Sequence, residues 1–278
     1  MRANLLAFTT VVAFAAPAAA QVYIPIPVSG YTDDVIGDAV GTASGTTTAT
    51  IDFGFEPEDN NVFFEHGYVT GGPSTGLPPT GAIVTSATRV YQLGPISGNN
   101  SLRITRTNPA GTLTLVAPAR EAALSLLLTA GDALTRGNVG FLGSVTVNWS
   151  DGQSSTFPYR VYDWWENMTP VPPPGVAIGG LNRVDRATGM PIALDGNVHA
   201  LFAIYYYDID LTGDPNYQAG ALVDGLTFGW PSSVTTYYDL TLNVMGLSGA
   251  TAVPEPSTLF LTAAVGIAGF LSRRRKAG

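Results

Sequence analysis

The sequence predicts an all-β protein, an antiparallel β-sandwich, and three observations predict it. Apolar and polar residues alternate with a period of two over many short runs. Gly, Pro, Thr and Ser fill the intervals between those runs. No stretch of the middle of the chain carries a long helical period. A period of two places every second side chain on one face of a strand. Many short strands separated by turn residues close most readily as two packed sheets.

Taken in chain order, Asp34 to Val40 reads as a short helix. Ala49, Ile51, Phe53 and Phe55 alternate and read as a strand. Gly71 to Gly81 is rich in Gly and Pro and reads as a loop. Leu102 with Ile104, and Leu113 with Leu115, form two short alternating sets. Arg120 to Leu128 fits either a helix or a strand. Val145, Val147 and Trp149 alternate, and so do Phe157, Tyr159 and Val161. Asp151-Gly152 lies between these two sets. Asp-Gly reaches positive φ at little cost, so the pair reads as a hairpin turn. Pro170 to Gly175 is a loop. The longest alternating set is Leu201, Ala203, Tyr205, Tyr207, Ile209 and Leu211, and Tyr238, Leu240, Leu242 and Val244 form the last. No internal repeat and no linker divides this region, so one domain over 21–250 is expected.

The two ends read differently. Residues 1–20 open with Arg2, continue with an apolar stretch from Leu5 to Phe14, and finish on Pro17 and small residues. Ala18 and Ala20 fit the A-x-A pattern that precedes a signal-peptidase cut, so residues 1–20 are expected to be a signal peptide and Gln21 the mature start. At the other end, 251–278 contains Pro254-Glu255-Pro256, an apolar run from Leu259 to Leu271, and the cluster Arg273, Arg274, Arg275 and Lys276. The prolines keep their segment extended and accessible to a processing enzyme. A helix over Thr258 to Leu271 would be about 21 Å long. That makes a short transmembrane helix, against a bilayer core of about 30 Å. Four cations directly after it place that end in the cytoplasm and the domain across the inner membrane.

A Pro-Glu-Pro motif, a short apolar helix and a terminal Arg cluster, in that order, resemble the PEP-CTERM sorting signal of Gram-negative bacteria. The resemblance covers about a tenth of the chain. It implies processing by an exosortase, a membrane-embedded cysteine protease-transpeptidase, together with a place in the cell envelope or extracellular matrix and a link to exopolysaccharide. A second resemblance covers about 20 residues. The segment VTVNWSDGQSSTFPYRVYDWW is similar to a hairpin of galactose-binding-like jelly-roll domains at Trp149, Asp151, Gly152, Asp163 and Trp164. It implies a jelly-roll-like sandwich and hints at carbohydrate binding.

Composition narrows the chemistry. From Gln21 to Val253 there are 20 Asp and Glu against 8 Arg and no Lys, a formal charge of −12. Nucleic acid is therefore not an expected partner, because phosphates need cations. There is no cysteine, which excludes disulfides, thiolate metal sites and cysteine nucleophiles. The two histidines, His66 and His199, are too few for a three-histidine zinc site, and neither H-E-x-x-H nor G-x-S-x-G occurs. Asp163 and Glu166 flank Trp164 and Trp165, an arrangement suited to glycoside hydrolysis if the two acids stand at the right separation. Trp164, Trp165, Tyr206 and Trp230 could stack on a sugar ring, while core packing is the competing role for one of the paired tryptophans. Asp208, Asp210 and Asp214 lie in DxDxTGD, the first half of a calcium loop, although Ala219 stands where the last acid ligand belongs.

These readings converge on an exported, non-enzymatic β-sandwich protein sorted through its tail, with no cofactor other than possible calcium. Two alternatives stay open: a carbohydrate-binding module for exopolysaccharide, and a secreted glycosidase or other hydrolase. A pocket holding two close acids, one with a raised pKa, would favour the last.

Overall fold

A computed structural model describes residues 21–38, 43–52, 60–65, 76–131, 141–164, 175–181, 183–187, 202–230 and 240–251. Residues Val22–Ala252 form one compact unit. The expected signal peptide, with Ala18 and Ala20, lies outside the described residues, and so does the tail with its apolar run. Among the described residues no helix is long and apolar enough to cross a membrane.

Sixteen strands are described: β1 Ile24–Pro25, β2 Val28–Ser29, β3 Ile36–Gly37, β4 Asn61–Phe64, β5 Ala82–Ser86, β6 Arg89–Gln92, β7 Leu102–Ile104, β8 Ala110–Ala119, β9 Ala123–Gly131, β10 Phe141–Trp149, β11 Ser154–Val161, β12 Val176–Leu181, β13 Val184–Asp185, β14 Phe202–Asp210, β15 Val223–Gly229 and β16 Thr241–Ala250. Two short helices, α1 Ala43–Thr46 and α2 Pro215–Ala219, accompany them. The predicted all-β class is what the chain adopts.

Two large sheets make the sandwich. One runs β1-β16-β9-β14-β12, with β7 also paired to β16; the other runs β11-β10-β15-β8-β2. The order β7-β16-β9-β14 faces β8-β15-β10-β11, so the chain crosses between sheets at nearly every step. This is the strand order of a jelly roll. Inward residues of both sheets meet in the main core. Leu124, Leu126, Leu128, Leu242 and Val244 come from one side, and Leu113, Val145, Val147, Tyr159 and Phe228 from the other. Each such side chain, fully buried, contributes about 1.5–3 kcal/mol.

The outer faces of the two sheets differ. The outer face of the six-stranded sheet is buried under a second core, in which Leu127, Ile204, Phe202 and Met245 meet Ile36, Ile51, Phe63, Leu77 and Tyr91. Those covering residues come from the β13-β4-β3 sheet, the β5-β6 hairpin and the segments around them. The outer face of the five-stranded sheet is open. By register Thr112, Thr227, Thr146 and Thr156 form one row across four neighbouring strands. Thr112 and Thr227 hydroxyls are 2.9 Å apart, and those of Thr146 and Thr156 are 3.2 Å apart.

Local readings were met in some places and overturned in others. The Asp-Gly turn is present, with Gly152 at φ +83°. Within Arg120 to Leu128, the residues from Ala123 onward are the start of β9 and none is helical. Residues 34–40 are not helical where described: Ile36–Gly37 is a strand, paired in parallel with β4. Residues 49–52 do not form a strand, and Phe53 and Phe55 lie outside the described residues. The carbonyls of this stretch are taken up by side chains instead of a neighbouring strand. Arg103 donates from Nε to Thr50 O at 3.0 Å and from Nη2 to Asp52 O at 2.9 Å, while Asn243 Nδ2 donates to Ile51 O at 3.1 Å. Ile51 is buried all the same. The alternation reported burial correctly and backbone pairing incorrectly.

Candidate functional site

One cavity of about 580 Å³ opens in the layer that covers the six-stranded sheet. Parallel pairing sets Ile36 opposite Phe63 and Gly37 opposite Phe64. The next residues along the two strands, Asp38 and Glu65, are thereby brought to the same wall of the cavity. Glu65 N–H donates to Gly37 O at 3.2 Å, and Asp38 N–H donates to Thr46 Oγ1 of α1 at 3.1 Å. Thr80, Gln92, Gly94 and Ile96 line the remainder. Burial raises the pKa of Asp38, and the neighbouring charge of Glu65 raises it further. Asp38 Oδ1 is buried and has no hydrogen-bond partner. Two acids lining one cavity are the groups from which an acid–base pair is built.

The aromatics named from sequence do not form one platform. Trp164 is 3% exposed and packs edge-on against Phe63 at 5.3 Å and against Phe202 at 4.4 Å. Its backbone ties the two large segments around it, donating to Ala130 O and accepting from Ala203 N–H. Trp164 is therefore a core residue of the second layer and not a surface for ligand stacking. Tyr206 is half-buried, stacked on Tyr91 at 6.1 Å, with the guanidinium of Arg89 4.1 Å from its ring centre. Trp230 packs against the main core. Trp165, Glu166, His66 and His199 lie outside the described residues.

The acids of DxDxTGD are each occupied elsewhere. Asp208 receives a two-pronged bond from Arg89 at 2.7 Å on each oxygen, and a third from Ser125 Oγ at 2.6 Å. Asp210 accepts from Thr212 N–H and Thr212 Oγ1. Asp214 caps α2 by accepting from Asn216 N–H at 2.8 Å. Among the described residues no group of three or more His, Asp or Glu is placed to hold a metal ion. The expected calcium loop is thus the end of β14 followed by a helix cap. The short side chains that suit a metal loop also suit turns and N-caps.

Sequence reasoning missed the Asp38–Glu65 wall. The two residues are 27 positions apart, and parallel pairing leaves no local mark such as a hairpin turn. The Arg89 cluster was missed because its members come from three separate strands, far apart in sequence.

The folded unit ends at the last strand, and a sorting signal comes directly after it. Behind the all-β domain the chain carries a stretch similar to the sorting tails of exported envelope proteins. In particular, residues 252–276 match the PEP-CTERM protein-sorting motif. The match contains Pro254-Glu255-Pro256, the apolar run and Arg273 to Lys276. Such a motif is recognised by an exosortase, a membrane protease. No curated protein matches the chain.

Proposed function

We propose that the protein is delivered through its tail to the cell envelope or extracellular matrix, where its jelly-roll domain serves a non-catalytic structural or binding role. The observation that carries this reading is the sorting motif beginning two residues after the final strand. An exosortase cuts at or near Pro254-Glu255-Pro256 and removes the apolar run, which before cutting holds the precursor in the membrane as a single short helix. A signal peptide removed after Ala20 supplies the other end of the same route. The domain has no cysteine nucleophile, and its charge of −12 keeps it away from nucleic acid and other polyanions.

Mass spectrometry of both mature termini in an exosortase-bearing host tests the reading. The expected product starts at Gln21 and ends close to the motif. A double variant, Pro254→Ala with Pro256→Ala, is expected to accumulate uncut. Full-length wild-type protein in such cells would overturn the reading.

A second reading, a hydrolase, is favoured by one observation: the cavity that puts Asp38 beside Glu65 and raises the pKa of the former. In that reading one carboxyl donates a proton to a leaving oxygen and the other acts as base or nucleophile, as in glycoside cleavage. Reducing-end release from a panel of polysaccharides is the measure. Asp38→Asn and Glu65→Gln should each abolish it, and a wild-type protein inert on the whole panel would end the idea.

A further inference from the structure

We propose that residues 23–26 are a latched cap on the end of β16, and that this cap sets how far proteolysis can enter the domain from its C-terminal side. The proposal builds on the reading that the tail is cut, but it concerns the folded domain alone. β16 ends at Ala250, two residues before the sorting motif begins. Strand ends fray, and an end left open beside a cutting site admits further trimming.

Three contacts close this end. Ile24 pairs with Gly249 and Pro25 with Ser248, and Ile26 N–H donates to Leu247 O at 2.9 Å. Ala122 N–H, in the turn before β9, donates to Ala250 O at 2.7 Å. Tyr23, Ala123 and Ala250 form a small buried cluster of their own. The pairing is only two residues long and includes a proline that cannot donate, so it does not hold by itself.

Val28 and Ser29 tie its far end to β8, and Tyr23 holds its near end. The Tyr23 N–H donates to Thr88 O at 2.8 Å, and its carbonyl accepts from Val90 N–H at 3.2 Å. Its ring is 6% exposed, with the Arg89 guanidinium 4.0 Å from the ring centre. Arg89 is fixed in turn by both oxygens of Asp208, by Ser125 Oγ at 2.8 Å and by Tyr91 Oη at 3.0 Å. Ser125 is fully buried in β9, and its hydroxyl also meets Tyr91 Oη at 2.7 Å. A continuous chain of contacts thus runs from the centre of the sheet, through one planar cation, to the residue that fastens the cap. Lysine could not replace that cation, because it lacks the two-pronged fork and the flat face that lies over Tyr23 and Tyr206.

The experiment treats the purified chain with a nonspecific endoprotease followed by a carboxypeptidase, so that tail removal depends on no exosortase. C-terminal masses and amide exchange are then read together. Wild-type product should stop at about Thr251. Tyr23→Ala should yield products ending inside 245–250 and exchange at Gly249 to Thr251 at least about tenfold faster, as loss of a cation–π contact of that class implies. Amides at Leu126 and Val145 should keep wild-type protection. Arg89→Ala should do the same, with Arg89→Lys in between. Wild-type trimming past Gly249 would overturn the proposal, and so would Tyr23→Ala trimmed as wild type. If Arg89→Ala loses protection throughout, Tyr23→Ala decides, since it leaves the fork on Asp208 in place.

Discussion

The two sheets of the sandwich are written in different ways, although they share one core. In the five-stranded sheet β8 reads polar-apolar by turns: Thr112, Leu113, Thr114, Leu115 go exposed, buried, exposed, buried. In the six-stranded sheet every described residue of β9 and β16 is buried, so Leu124 to Leu128 runs as a near-continuous apolar stretch. The cause is the third layer. Where Phe63, Leu77 and Tyr91 cover the outer face, the sequence must be apolar, or internally hydrogen-bonded, on both sides. In β9, Ser125 and Thr129 are the polar exceptions on that face. Each has a partner: Thr129 Oγ1 donates to Ala203 O at 3.2 Å, and Ser125 joins the Arg89 cluster. A covered face thus turns a sheet residue from a solubility choice into a packing constraint.

The sharpest way to break this contrast is to place the same charge on the two outer faces. Leu127→Asp puts a carboxylate among Trp164, Met245 and Ile204 with no partner, and should cost more than about 4 kcal/mol or prevent folding. Thr156→Asp, on the open face, should fall within about 0.5 kcal/mol of wild type. Urea unfolding of the two variants measures both, and equal effects would mean that the outer layer does not seal the sheet.

A second effect, of intermediate size, belongs to the covering layer. Asp34 is 4% exposed, and burial pushes its pKa up to about 6, although Asn100 Nδ2 at 2.6 Å and Ile36 N–H at 3.2 Å favour its charged form. The folded state therefore holds the Asp34 proton more tightly than the unfolded state does. Its contribution is present below about pH 4 and is lost as pH rises toward about 6, after which stability is flat in this term. The full swing is at most about 3 kcal/mol. Asp34→Asn should remove it, which melting temperatures taken from pH 4 to pH 8 would reveal. An unchanged pH profile in that variant would assign the dependence elsewhere.

The smallest effect has the opposite sign and lies in the shared core. Tyr159 is fully buried on the inner face of β11, and its hydroxyl has no hydrogen-bond partner. Tyr159→Phe removes an unsatisfied polar atom and keeps the ring against Phe228, so it should be neutral or stabilise by up to about 1 kcal/mol. A loss of stability in the same urea series would show that the hydroxyl is satisfied in solution.

The same contrast explains what could be read from sequence. The alternating sets at Leu113, Val145 and Phe157 were legible because one side of their sheet meets water, and the Asp-Gly turn was legible because its chemistry is local. The stretch around Ile51 was misread because its carbonyls are satisfied by Arg103 and Asn243, residues more than fifty positions away. The aromatics Trp164 and Tyr206 looked available because nothing in the local sequence announces the third layer. The sorting tail was the most legible part, since three chemically distinct segments in fixed order leave little room for another meaning. The Asp38–Glu65 wall depends on a parallel pairing across 27 residues, and no short pattern encodes that.

The placement of β16 has a consequence for the order of events in making this protein. The final strand lies between β9 on one side and β1 with β7 on the other, so three partners wait for it. Until residue 250 is available, β1 and β7 have nothing to join them to β9 and neither core is complete. A growing polypeptide therefore cannot complete either core before nearly the whole of the folded unit has been made.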